Sequence, residues 1–292
     1  MPYVAIIFVL FLSFPAVSAF GAANAAPGAD KESSPVLNAL KQAQETAIAM
    51  PEHQDQAERP DQSAPNAQDA ENAGPEQAVY PGARNRRLES GGHGEPSSAL
   101  WYPQFGDAAV DAALREFVEK AATEYENEVR ESVAEGGEKP ESWSQWEQSG
   151  FFTLTRPNPD IVSITFNIYN YTGGAHGQIY IIVLNYDLKT GKQLTLADLF
   201  GDVPAALSIM SKISAAQLRK TLGEDTDEEM LTDGTEATET NFSALSLLPT
   251  GVSVEFQPYQ VGPWSIGQQH VDITLEDLAP AKPSPQVWPP RK

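Results

Sequence analysis

The sequence contains no cysteine. That excludes a disulfide framework, thiol catalysis and a lipoprotein anchor. Basic residues are scarce too: 19 Lys and Arg stand against 40 Asp and Glu, a formal net charge of −21. Between Ala99 and Ala279 the balance is 10 basic to 28 acidic residues, a net of −18. Such a surface repels nucleic acid and anionic lipid and favours a basic partner, although solubility alone is the plainer account. Long apolar runs are missing as well. Val4 to Phe14 is an uncharged apolar run of 11 residues, short of the roughly 20 needed to span a bilayer. Pro15 and a series of small residues follow it, and Val17-Ser18-Ala19 fits a signal-peptidase site. Residues 1–19 therefore read as an export signal, which places the protein in the periplasm or cell envelope. No Lys or Arg precedes the run and the first charge after it is Asp30. An uncleaved anchor is thus the alternative, and the sole route to a membrane.

Residues 20–98 have very few large apolar side chains and are rich in Ala, Gln, Pro, Asn, Glu and Gly. A segment of that composition cannot bury enough surface to offset chain entropy, and it reads as a disordered tether with at most a short helix over Leu37 to Met50. The proline-rich tail, residues 280–292, reads as loose. The foldable part is residues 99–279.

In that part, Asp107 is an N-cap for a long helix whose apolar stripe is Val110, Leu114, Phe117, Val118, Ala121, Tyr125 and Val129, ending at Gly136-Gly137. Val162, Ile164, Phe166 and Ile168 alternate with polar residues, as in a strand with one buried face, and Pro157-Asn158-Pro159-Asp160 joins it to a preceding strand. Ile179 to Tyr186 is apolar on both faces, and Asp187 to Lys192 makes another turn. Thr195 with Asp198 resembles a capping box, and Asp202 with Pro204 starts a helix with a stripe of Val203, Leu207, Met210, Ile213, Leu218 and Leu222. Gly223 to Thr240 carries eight acidic residues and no basic one. Asp225, Asp227 and Glu229 alternate like the start of a calcium loop, but Met230 stands where the sharp turn needs glycine, so a solvated acidic loop is the better reading. Phe242 to Leu248, Val252 to Phe256, and Val271 with Ile273 close the chain in β-structure. The pattern predicts an α+β fold, an antiparallel β-meander with packed helices.

Between the two best strands lies Tyr171-Thr172-Gly173-Gly174-Ala175-His176-Gly177. Three glycines here predict positive φ or close approach at Gly173, Gly174 and Gly177, and His176 is the titratable side chain of the loop. Tyr259 and Trp264 sit among prolines and glycines in a second loop; rigid loop aromatics of this kind are either binding anchors or plugs at the end of a sheet. His176 is expected to bond within its own loop or to the Pro258 to Trp264 segment. The candidate ligand-binding residues are Tyr171, Gly173, Gly174, His176, Tyr259 and Trp264. No metal-ligand spacing, nucleophile elbow or phosphate-binding glycine loop is present, so no catalytic residue, metal or cofactor is assigned. The alternative is an envelope glycan hydrolase or deacetylase with His176 as base beside Asp187 or Asp198.

Several stretches together resemble one bacterial extracytoplasmic module. They are Tyr102-Pro103, Tyr171 to Gly177, Asn185-Tyr186-Asp187 with Thr190-Gly191-Lys192, Leu194-Thr195-Leu196 with Asp198-Leu199-Phe200, and Phe256 to Gly267. The module is a pair of uncharacterised-family domains found in the lysozyme-sensing anti-sigma factor RsiV and in PdaC-type peptidoglycan deacetylases. The resemblance implies helices packed on antiparallel sheet. It also implies a partner that is either a basic, lysozyme-like protein or a cell-wall glycan. Met1 to Tyr3 are all that precede the apolar run and the chain stops after the module, so neither a sigma-factor-binding segment nor a deacetylase domain is expected.

Overall fold

The computed structural model describes residues 77–92, 94–136 and 139–290. The expected export signal, the expected helix over Leu37 to Met50 and the tether as far as residue 76 lie outside the described residues. Six strands form one sheet in chain order: β1 (Arg84–Ser90), β2 (Ser97–Gln104), β3 (Glu147–Asn158), β4 (Ile161–Tyr171), β5 (Gln178–Asp187) and β6 (Lys192–Gln193). Neighbours are antiparallel except β2 and β3, which are parallel because the long helix α1 (Ala108–Gly136) carries the chain back between them. The fold is α+β, with a mixed sheet in which the expected meander covers β3 to β6.

Asp107 does cap α1: its Oδ1 accepts from the backbone N–H groups of Ala109 and Val110 at 3.0 and 2.9 Å. The helix stripe of Val110, Leu114, Phe117, Val118 and Ala121 packs on Phe152, Val162, Ile164, Phe166, Ile168, Ile182 and Leu184 to make the first core. Phe117 and Phe166 meet with ring centroids 4.7 Å apart.

A second core forms around α3 (Val203–Leu222) and a three-stranded antiparallel sheet of β7 (Leu245–Leu248), β8 (Gly251–Phe256) and β9 (Gln269–Thr274). Met210, Leu218, Leu247, Val252, Val254, Phe256 and Ile273 lie in it. Short helix α2 (Leu196–Leu199) carries the expected capping box of Thr195 and Asp198.

The polar face of β4 is not wet as its alternation implied. Ser163 is fully buried, because β7 lies across that face. The Ser163 hydroxyl accepts from Leu247 N–H at 3.0 Å, Thr155 donates to Leu247 C=O at 2.8 Å, and Asn185 Nδ2 donates to Leu245 C=O at 3.0 Å. Side chains of the first sheet thus satisfy the free edge of the second, which covers an edge strand that would otherwise invite pairing with another chain.

Three boundaries differ from the sequence reading. The tether expected to run to Ser98 ends earlier, since β1 lies inside it and Gln77 is bound to Phe152 by two hydrogen bonds, Nε2 to its C=O at 2.8 Å and Oε1 from its N–H at 3.1 Å. The tail expected to be loose is docked: Val287 and Trp288 are buried, the indole N–H donates to Leu248 C=O at 2.8 Å, and Ser284 N–H donates to Leu199 C=O at 2.8 Å. Part of the acidic stretch is helical, as α4 (Glu228–Gly234), with the Asp227 carboxylate capping Glu229 and Met230 N–H. Of the alternating acids Asp227 serves that cap, and the neighbouring Glu228 pairs with Arg219 at 2.7 Å.

Candidate functional site

Two loops, one from each sheet, meet. The first joins β4 to β5 and holds the glycine-rich segment. Gly173 and Gly174 have φ of +97° and +90°, and a Cβ at Gly177 would stand 2.4 Å from the Tyr169 ring and 2.6 Å from Asn170 O. All three glycines are therefore needed, two for conformation and one for close approach. Tyr171 is the loop's foot: its hydroxyl donates to Gly174 C=O at 3.2 Å, and its own carbonyl accepts from Tyr125 at 3.3 Å. Gly173 lies against the buried indole of Trp146.

The second loop joins β8 to β9. Gln257 to Gln260 form a tight turn closed by Gln260 N–H to Gln257 C=O at 3.0 Å. Pro258 takes the second position and Tyr259 the third, with φ +67°, where a type II turn ordinarily takes glycine. Two glutamines hold this turn. Gln257 exchanges hydrogen bonds with both backbone groups of Ile181 in β5, and Gln260 Nε2 donates to Gly234 C=O at 3.0 Å and Asn241 C=O at 3.1 Å. Gly234 has room for nothing larger, since a Cβ would lie 1.8 Å from Gln260 O.

Where the loops meet, His176 stacks on Trp264 with ring centroids 4.6 Å apart and planes 13° apart. Its Nδ1 bonds Gly177 O at 2.9 Å and its Nε2 lies 3.3 Å from the Tyr259 hydroxyl. His176 is thus bonded both within its loop and to the second one, as the sequence reading expected. His176 is exposed, while Tyr259 and Trp264 are half-buried. The structure brings these three of the six candidates together; Tyr171, Gly173 and Gly174 shape the loop beneath. Gln257, Gln260 and Trp146 were missed. Nothing in the local sequence marks a glutamine as a turn clamp, whereas Trp146 was visible as an aromatic in a polar stretch.

The carboxylates suggested as partners for a histidine base are engaged elsewhere. Asp187 is buried and accepts from Lys189 N–H, Thr190 N–H and Gln286 Nε2 at 2.8, 3.3 and 2.7 Å. Asp198 serves the capping box and pairs with Lys192. Burial pushes the hydroxyls of Tyr169 and Tyr180 above the usual phenol value, so both stay neutral. Among the described residues, no group of three or more His, Cys, Asp or Glu side chains is placed to hold a metal ion. The arrangement offers aromatic faces and hydrogen-bonding edges.

An α+β protein whose first half is a mixed sheet under one long helix, and whose second is a small sheet under another, is what the comparisons match. The family model described as "Deacetylase PdaC" matches residues 96–179, and "Protein of unknown function (DUF3298)" matches residues 197–276. The two matched segments follow one another within residues 96–276. The chain is 29% identical over 175 residues to the peptidoglycan-N-acetylmuramic acid deacetylase PdaC of Bacillus subtilis, which covers 60% of this chain but only 36% of that protein. A crystal structure of a DUF3298 family protein from Pseudomonas aeruginosa shares the fold at TM-score 0.53 and 20% identity, covering 72% of this chain and 98% of that one. A second, from Bacteroides fragilis, superposes at TM-score 0.48 with 18% identity over 70% of this chain and 96% of that one.

Proposed function

We propose that the protein is an exported binding module of the cell envelope and that it takes an N-acetylated cell-wall glycan at the cluster of His176, Tyr259 and Trp264. The observation that carries this reading is the stack of His176 on Trp264 beside the Tyr259 hydroxyl. A sugar presents an apolar C–H face to a flat ring and hydroxyls to a polar edge, and an aromatic cluster fixed by rigid loops meets both without loss of side-chain freedom. The name of the Bacillus relative, a peptidoglycan deacetylase, supports the same substrate class. A catalytic role for His176 is not carried forward, because the carboxylates that would orient it are tied to other partners.

Calorimetric titration of the full chain with soluble muropeptides and chitin oligomers tests the proposal. The expected result is saturable binding that Trp264→Ala weakens at least tenfold at an unchanged thermal midpoint. No heat with either ligand class overturns it. A second reading, recognition of a basic protein such as a lysozyme, is favoured by the net charge of −21. Retention on immobilised lysozyme at both low and moderate salt supports that reading, and its absence at both removes it.

A further inference from the structure

The chain is strongly acidic, yet four of its nine arginines lie on the first sheet: Arg84, Arg86 and Arg87 on the edge strand β1, and Arg156 on β3. Of these, Arg87 pairs with Glu89 at 2.9 Å. The other three do not. Among the described residues, Arg84, Arg86 and Arg156 have no ion-pair partner; Lys120, Arg130, Lys212, Lys220 and Lys282 have none either, but these three arginines converge on one feature of the surface.

These three side chains line one groove. Two adjoining depressions of about 610 and 640 Å³ share Gly82, Phe105 and Gly106; Arg84 and Arg86 line the first and Arg156 the second. Arg84 and Arg86 are two residues apart on a strand, so they project from the same face of β1. The positions are held. Arg86 donates through Nε to Gln104 at 2.8 Å, which leaves its terminal nitrogens to the groove. Arg156 donates through Nη1 to Pro159 C=O at 3.2 Å, packs its guanidinium 5.5 Å from the Phe105 ring centre, and lies half-buried with Nη2 beside Gly82. Burial pushes its pKa below the usual arginine value, and no nearby carboxylate offsets that cost. Asp107 lines the second depression beside Arg156 and is bonded to the start of α1, its carboxylate accepting from Ala109 and Val110 N–H, while the Asp111 carboxylate accepts from Phe105 and Gly106 N–H at 2.7 and 3.0 Å.

We infer that this groove is an anion-binding site for a ligand carrying two or more carboxylate or phosphate groups along a short chain. Guanidinium forks match both oxyanions in bidentate geometry. The two lobes, with arginines in each, suit spaced charges rather than a single ion. This site is separate from the His176 cluster and does not depend on the function proposed for it. The protein's overall negative field opposes an anion at long range, but it is screened beyond about 8 Å at physiological salt, so the local cations decide.

The full chain is titrated in 0.15 M NaCl with tripolyphosphate and with a tetraglutamate peptide, following the arginine Nε–Hε resonances and the affinity. Saturable shifts at Arg84, Arg86 and Arg156 are expected with at least one probe. Arg156→Gln and the double variant Arg84→Gln/Arg86→Gln should each weaken binding at least tenfold, and Lys220→Gln on α3 should not. The double variant changes only exposed side chains and keeps the test open if Arg156→Gln fails to fold. Response to one probe alone assigns the ligand as phosphate-bearing or carboxylate-bearing, and response to both assigns a general oxyanion site. No saturable binding of either probe, or equal loss in Lys220→Gln, overturns the inference.

Discussion

The imidazole of His176 lies flat on the indole of Trp264, 4.6 Å between centroids and 13° between planes, although the two residues come from loops of different sheets. In the proposed binding role the imidazole acts through its ring face. If the ring face is what matters, a second flat ring should replace it. His176→Phe is expected to keep ligand affinity within a few-fold, while His176→Ala loses at least tenfold. Equal loss in both variants, measured by the same titration, would mean that the imidazole nitrogens rather than the stack do the binding.

Tyr259 occupies the turn position that glycine prefers, at φ +67°. Holding a side chain there costs on the order of 1–3 kcal/mol. The surrounding clamps from Gln257 and Gln260 supply that energy, and the result is an aromatic ring fixed beside His176. Tyr259→Gly should therefore leave unfolding free energy unchanged or raise it by up to about 1 kcal/mol, while ligand affinity falls. Destabilisation of more than about 1 kcal/mol in urea would instead identify the ring as a structural plug.

The loop glycines separate by mechanism. At Gly174 a Cβ meets nothing within 4 Å, so only the +90° φ is strained, and Gly174→Ala should cost about 1 kcal/mol. At Gly177 the added carbon would stand 2.4 Å from the Tyr169 ring and 2.6 Å from a backbone oxygen. Overpacking of that kind costs roughly 1–3 kcal/mol or more, and Gly177→Ala should be the worse of the two in a chemical melt. The reverse order would mean that the loop relaxes around Gly177.

Much of this was legible from periodicity. The α1 stripe, the Asp107 cap, the β3 to β6 meander and the convergence of His176 with the Tyr259 loop all follow from local pattern and turn chemistry. What was not legible depends on the second layer. Ser163 and Thr165 look like the wet face of a strand until β7 lies on them, and Thr165 then meets Ser246 with hydroxyls 2.6 Å apart. β1 was hidden because Arg84, Arg86 and Arg87 carry little apolar signal, as befits an exposed edge strand. Trp288 sat in a proline-rich tail whose composition gave no hint of the Leu248 carbonyl awaiting its indole.

A buried chain of polar groups links α1 to the sheet beneath the site. Ser98 donates to Gln148 at 2.6 Å; Gln148 Nε2 donates to Ala121 C=O at 3.1 Å and to Asn170 Oδ1 at 3.0 Å; Asn170 Nδ2 donates to Glu128 at 2.9 Å. Burial raises the Glu128 pKa above the usual carboxylate value, and the nearby Glu124 and Glu131 add to that, against the opposing bond from Asn170. A raised carboxyl pKa means that the folded state holds the proton over a pH range in which the unfolded chain has released it. Stability from this group is then full below the unfolded value, near 4.5, and declines as pH rises through the folded one. Glu128→Gln keeps an oxygen for Asn170 and removes the charge. Its thermal midpoint should match the native protein near pH 4 and exceed it above the unfolded value, levelling off once the pH has passed the folded one, read from melts between about pH 4 and 7. Parallel curves for the two proteins would show that Glu128 is solvated well enough to titrate normally.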